Sequence, residues 1–194
     1  ASWGVVTGRE GVFRTFRFFP HRVEGEGMFL AVARRAGEAE RVRESRNRRS
    51  VLAAVDARTT KELSRWVASP ETMRFMAAGD TLYGCYAGRY DDIALLSSRM
   101  AVIYSGVAMG QIFKGALRPD GALALFADVS REAVPCRDLP TQEALRFLRK
   151  QDMDAAAFEQ GVNMVTCGGL PLGFVKCIGA RVNNMYPNSL RILK

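Results

Sequence analysis

The chain has 194 residues, 48% apolar and 25% charged, a composition that can bury a core and argues against wholesale disorder. Its 28 Lys and Arg against 20 Asp and Glu leave a formal charge of +8, which favours an anionic partner such as nucleic acid. No apolar run approaches the roughly 18 residues of a membrane helix, so no membrane partner is expected. The start, Ala1-Ser2-Trp3-Gly4, carries neither an initiator Met nor a signal pattern and reads as a cut or processed end.

Of the 28 cations 23 are Arg, whose planar fork takes phosphate in two hydrogen bonds, although a GC-rich genome produces the same bias. Four cysteines, Cys85, Cys136, Cys167 and Cys177, are widely spaced, with no CxxC pair, and the single histidine, His21, cannot complete a Cys/His zinc site of normal spacing. No metal is expected, and the thiols are expected reduced and mostly buried in a cytoplasmic protein.

In chain order, residues 9–19 alternate apolar and polar side chains from Val12 to Phe18, the period of a strand. The loop at residues 20–27 bears Gly25 and Gly27. Met28-Phe29-Leu30-Ala31-Val32-Ala33 follows as a continuous apolar run, suited to a strand buried on both faces. Together they predict a hairpin, which is marginal in water unless something covers it. Residues 34–49 hold seven Arg against three Glu, a net +4, half the charge of the chain in one apolar-poor stretch. This is a linker or a solvated helix, and it could track phosphates.

Beyond it, residues 60–67 have helical spacing, with Thr59 or Thr60 as cap. Residues 73–86 predict two strands turning at Gly79-Asp80, and residues 102–104 a further strand. Arg118-Pro119-Asp120-Gly121 is a turn signal before a helical Ala122-Leu123-Ala124-Leu125-Phe126. Residues 141–148 form an amphipathic helix with Thr141 as cap. The tail alternates strands and turns: residues 162–166, Gly168-Gly169, residues 172–178, Gly179, Asn183-Asn184 and Arg191-Ile192-Leu193. That punctuation predicts a small β-barrel or sandwich.

Nucleotide chemistry has no loop here: neither GxGxxG nor GxxxxGK[ST] occurs, and HExxH and GxSxG are missing. The adjacent Asp91-Asp92 points its carboxylates apart and reads as a solvated turn. Nucleophile activation by histidine would depend on His21 alone. This chain is not read as a complete enzyme.

Two segments carry a resemblance. Arg17-Phe18-Phe19-Pro20-His21-Arg22-Val23-Glu24-Gly25-Glu26-Gly27-Met28-Phe29-Leu30-Ala31 resembles the last two strands of the catalytic domain of Sun-type RNA cytosine-C5 methyltransferases, with Met28 in place of the first Phe of Gly-Phe-Phe-x-Ala. Gly168-Gly169-Leu170-Pro171-Leu172-Gly173-Phe174-Val175-Lys176, followed by Gly179-Ala180-Arg181-Val182-Asn183-Asn184-Met185-Tyr186-Pro187 and Arg191-Ile192, resembles the PUA-like RNA-binding domain that ends the RsmF-type branch. The stretch between them, including residues 106–114 and 119–125, is similar to the first C-terminal domain of that branch.

The resemblance implies an α+β chain in four parts. Residues 1–36 would be the last strands, a remnant β-hairpin, of a Rossmann-like methyltransferase domain, and residues 37–58 a basic linker. Residues 59–128 would form a small mixed α/β domain, and residues 129–194 a PUA-like β-barrel. The family flips out a cytosine, attacks C6 with a cysteine thiolate and methylates C5 from S-adenosylmethionine. Pro135-Cys136 and Thr166-Cys167 copy the local context of its two cysteines but lie downstream of the Arg-x-x-Pro-His strand, and are read as structural. The cofactor is therefore expected in the parent enzyme and not in this chain, whose partners would be small-subunit ribosomal RNA and its own N-terminal catalytic domain. An interaction scaffold for ribosome assembly, without RNA affinity of its own, is the alternative.

In the implied RNA set, Lys176 and Arg181 take phosphate. Asn183 and Asn184 bond base edges or form turns, Tyr186 stacks a base or packs a corner, and Arg191 completes the set. His21, Arg22 and Phe29 could edge the active site, or His21 could bond backbone within its loop.

Overall fold

In the computed structural model, which describes residues 3–33, 37, 52–102 and 104–193, the chain separates into two units, residues 1–46 and 47–194. Most of the basic run at residues 34–49 lies outside the described residues, as does Ile103 of the strand expected at residues 102–104. Val102 and Tyr104 on either side of it have no regular structure.

The first unit is a three-stranded antiparallel sheet, β1 (Val6–Glu10), β2 (Phe13–Phe18) and β3 (Met28–Ala33), in that order. The hairpin is there, with Phe13 opposite Ala33 and Phe18 opposite Met28, and β1 extends it beyond expectation. The apolar run of β3 is not buried on either face, however: Met28, Phe29, Leu30 and Val32 are all exposed, and Thr15 is the only buried residue described in this unit. A continuous apolar strand signals a covering layer, and the unit itself supplies none among its described residues.

The second unit begins earlier than the expected linker end. β4 (Ala53–Ala54) pairs with β5 (Met73–Ala78), and Leu52 beside it is buried. Helix α1 (Ala57–Ser64) is capped by Asp56, whose carboxylate accepts from the Thr59 N–H at 2.6 Å, so the cap precedes the threonines expected to provide it. β5 (Met73–Ala78) and β6 (Thr81–Tyr86) turn at Gly79-Asp80 as the alternation predicts. After α2 (Tyr90–Ser97), β7 (Val107–Phe113) and β8 (Ala116–Pro119) complete an antiparallel sheet ordered β4-β5-β6-β7-β8.

The rest of the chain builds a second sheet. Asp120 caps the short α3 (Gly121–Ala124), accepting from the Ala122 N–H at 2.9 Å. Then follow β9 (Cys136–Asp138), α4 (Thr141–Leu148), β10 (Gly161–Cys167), β11 (Leu170–Ile178) and β12 (Arg181–Asn184). The helix at 141–148 is present, but Pro140 stands at its N-cap and no side chain caps it. Asn183 and Asn184 pair in a strand, and Asn184 turns the chain at its end by accepting from the Tyr186 N–H, while residues 191–193 form no strand.

The C-terminal strands make an open sheet, ordered β12-β11-β10-β9 with β9 parallel to β10, and not the expected barrel. Both faces are already covered, which removes the need to close. On one face Val165, Val175 and Cys177 pack with Phe147 of α4; on the other Met164 and Phe174 join Leu63, Trp66, Met109 and Leu123. That second cluster crosses residue 128, the expected domain boundary. Backbone bonds cross there too, from the Ala68 N–H to the Asp128 carbonyl at 2.7 Å and from the Ser130 N–H to the Trp66 carbonyl at 2.9 Å. Residues 59–128 and 129–194 therefore share a core.

Candidate nucleic-acid interface

Strand period decides which tail residues face one another. Along β11, Val175 and Cys177 are buried on the α4 side, so Phe174, Lys176 and Ile178 occupy the opposite face. Lys176 lies across from Asn183 on β12, and Ile178 across from Arg181. Lys176, Arg181 and Asn183 are exposed on one surface, with Ile178 between the cations. Three residues of the expected RNA set thus come together.

A second wall stands opposite. In the β7–β8 hairpin Gln111 pairs with Arg118 and Phe113 with Ala116, all four on one face. Lys114-Gly115 joins them in two residues, with φ of +52° and +83°, a primed turn that suits strand twist and that Lys rarely adopts. The Glu62 carboxylate fixes the hairpin to α1 by accepting from the Leu117 N–H at 3.1 Å and the Trp66 indole N–H at 3.3 Å.

Between the walls runs a cleft of about 510 Å³, lined by Phe113, Arg118, Val162, Lys176, Ile178 and Asn183 among others. A second, polar cleft of about 520 Å³ shares Arg118 and Asn183 with it and is reached by Gln111, Lys150 and Asn188. Among the described residues the only carboxylate on either lining is Asp120, which is engaged in capping α3. Anions therefore meet Arg118 and Lys176 with no acid between them.

Two of the other expected residues, Asn184 and Tyr186, hold the fold. Asn184 donates from Nδ2 to the Phe147 carbonyl at 2.7 Å and accepts on Oδ1 from the Tyr186 N–H at 2.9 Å. The Tyr186 ring meets Phe147 edge-on with centroids 5.4 Å apart, and its carbonyl accepts from Lys150 Nζ at 2.5 Å. Both residues reach the polar cleft, but the Asn184 amide is committed to backbone and the Tyr186 ring to Phe147. Arg191, exposed after a short turn at Asn188–Leu190, lines neither cleft. In the first unit His21 stacks on Phe19, centroids 5.4 Å apart, Arg22 shares that loop, and Phe29 carries the Arg17 guanidinium 5.5 Å from its centroid.

All four cysteines are free. Cys136 lies exposed on β9, against the expectation of burial; partial desolvation still pushes its thiol up despite Arg131 nearby, the opposite of the lowered value an attacking thiolate needs. Among the described residues no three His, Cys, Asp or Glu side chains gather as a metal site.

Residues 135–192 match the family model of the methyltransferase RsmF PUA domain. The region of β9, α4 and β10 to β12 is thus PUA-like, of the kind carried by RsmF-type methyltransferases. No curated protein matches the chain. Within the PUA-like region lie Lys176, Arg181 and Asn183, whereas Gln111, Phe113 and Arg118 of the facing wall lie outside it. Sequence reading passed over these three because Lys114-Gly115 lacks the Asn or Asp that marks such hairpin turns.

Proposed function

We propose that the chain is the RNA-binding part of a cytoplasmic, S-adenosylmethionine-dependent ribosomal RNA cytosine-C5 methyltransferase, and that its PUA-like region holds small-subunit rRNA. The observation that carries this reading is the shared surface of Lys176, Arg181 and Asn183 within the stretch that matches the PUA family. In this reading residues 1–36 are the last strands of a Rossmann-like catalytic domain, residues 37–58 a basic connector, and residues 59–128 and 129–194 the two C-terminal domains on their common core. The methyl group would come from the cofactor. The sequence has no glycine-rich cofactor loop, so its residues are given binding and positioning of RNA and no part of the transfer.

A protein-interaction scaffold is the second reading, favoured by the exposed apolar strand β3. Titrating the chain with small-subunit rRNA fragments over a salt series separates the two. Phosphate-led binding weakens steeply with salt, by a slope of roughly 0.7 per neutralised phosphate on a single strand. Absent or salt-independent binding overturns the proposal.

A further inference from the structure

We infer that the cleft between the β7–β8 hairpin and the β11–β12 face takes an unpaired nucleotide of single-stranded RNA, its base against Phe113 and its backbone between Arg118 and Lys176. The inference rests on the RNA-binding reading above and adds to it a binding subsite with one wall, from Phe113 to Arg118, outside the PUA-like match.

Three observations converge. First, Phe113 is 62% exposed at the tip of a two-residue hairpin, and Ile178 across the cleft is 59% exposed. An aromatic ring left in water beside an aliphatic wall has the shape and apolarity of a platform for a flat ring. Base stacking on such rings contributes about 1–3 kcal/mol per base and tolerates any sequence. Secondly, the cations are placed for the backbone and not for the base. Strand alternation puts Arg118 on the Phe113 face of the hairpin, Lys176 stands on the facing strand, and among the described residues no carboxylate lines this cleft. The Lys114 ammonium stands over the Phe113 ring, 5.5 Å from its centroid, so a stacked base takes the other face of the ring or displaces it. Thirdly, a volume of about 510 Å³ is that of a small-molecule site and not of a groove for a helix.

A duplex buries its base faces in the stack, so only an unpaired base can use the Phe113 platform. The adjoining polar cleft offers the Gln111 and Asn188 amides to the neighbouring nucleotide. Charge complementarity favours this occupant over a protein segment, which would have to be acidic to satisfy Arg118 and Lys176.

The test compares binding of a short single-stranded RNA, the matched duplex, the same strand with abasic positions, and an acidic peptide at one fixed salt concentration. The proteins are the unaltered chain, Phe113→Ala, Phe113→Trp, Arg118→Ala and Lys176→Ala. Expected are preference for the intact single strand and a loss of roughly tenfold for Phe113→Ala on that strand alone. Phe113→Trp restores affinity, with its fluorescence quenched on binding, and Arg118→Ala weakens every RNA, abasic included. Equal affinity for strand and duplex, or unchanged binding by Phe113→Ala while Lys176→Ala weakens it, overturns this inference and leaves the RNA-binding reading standing. Failure of the unaltered chain to bind any RNA overturns both, and binding of the acidic peptide in place of RNA assigns the cleft to a protein.

Discussion

Lys176 and Asn184 are both polar residues in an apolar tail, yet a one-residue offset in register separates their roles. Lys176 has no backbone group to serve and faces the cleft, whereas Asn184 bridges α4 and the chain after β12. Asn184→Ala leaves the Phe147 carbonyl and the Tyr186 N–H without these partners, and urea denaturation is expected to show a loss of about 1–2 kcal/mol. The salt slope of RNA binding should not change. A stable Asn184→Ala chain that has lost RNA affinity would contradict the division. Asp138 shows a different economy of charge. Its carboxylate accepts from the Thr166 hydroxyl at 2.7 Å and the Gly169 N–H at 3.0 Å, and these bonds hold it below the ordinary value of 3.8. A lowered value in the folded chain means stabilisation that is present above 3.8 and lost as pH falls through the folded-state value. Asp138→Asn should therefore flatten the acid limb of a stability-against-pH curve and leave its neutral region little altered in slope. An unchanged acid limb would contradict this. At this scale Lys176 was legible, because an isolated cation in an apolar strand must face out. Phe113 and Arg118 were not, because their placement depends on a Lys-Gly turn with an uncommon backbone.

Among the elements, α4 and β11 depend on each other through Gly173. A Cβ there would lie 2.9 Å from Phe147 Cζ, so the glycine of Pro-Leu-Gly-Phe makes room for the ring that fills the α4 core, and Phe174 beside it turns to the shared core, edge-on to Trp66 at 5.8 Å. Gly173→Ala is expected to destabilise by about 1–3 kcal/mol through overpacking. The cost should shrink when Phe147→Leu is added, although Phe147→Leu alone is itself destabilising. Additive costs in denaturation would contradict the steric account. The amphipathic α4 and the β5–β6 pair were legible because their periodicity is intrinsic. Strand β12 was not: Asn183 and Asn184 favour turns by propensity, and only pairing with β11 overrides it. The caps of α1 and α4 were misplaced for a similar reason, since Asp56 and Pro140 sit just outside the periodic stretch that signals each helix.

For the whole molecule, composition and tail pattern were enough to indicate an α+β chain with a PUA-like end and an anionic partner. They could not show that the C-terminal sheet stays open, because closure depends on what covers each face. Nor could they show that residues on both sides of 128 fill one core, since long-range packing leaves no local period. The same shared core is what brings the β7–β8 hairpin against the PUA-like strands and turns two modest surfaces into one basic cleft. The basic run at residues 34–49 is the competing surface, with its net +4. Photo-crosslinking of small-subunit rRNA fragments to the intact chain, followed by mass-spectrometric mapping of the adducts, decides between them. The account predicts adducts on the peptides that carry Phe113 to Arg118 and Lys176 to Asn183; adducts confined to residues 34–49 would contradict it.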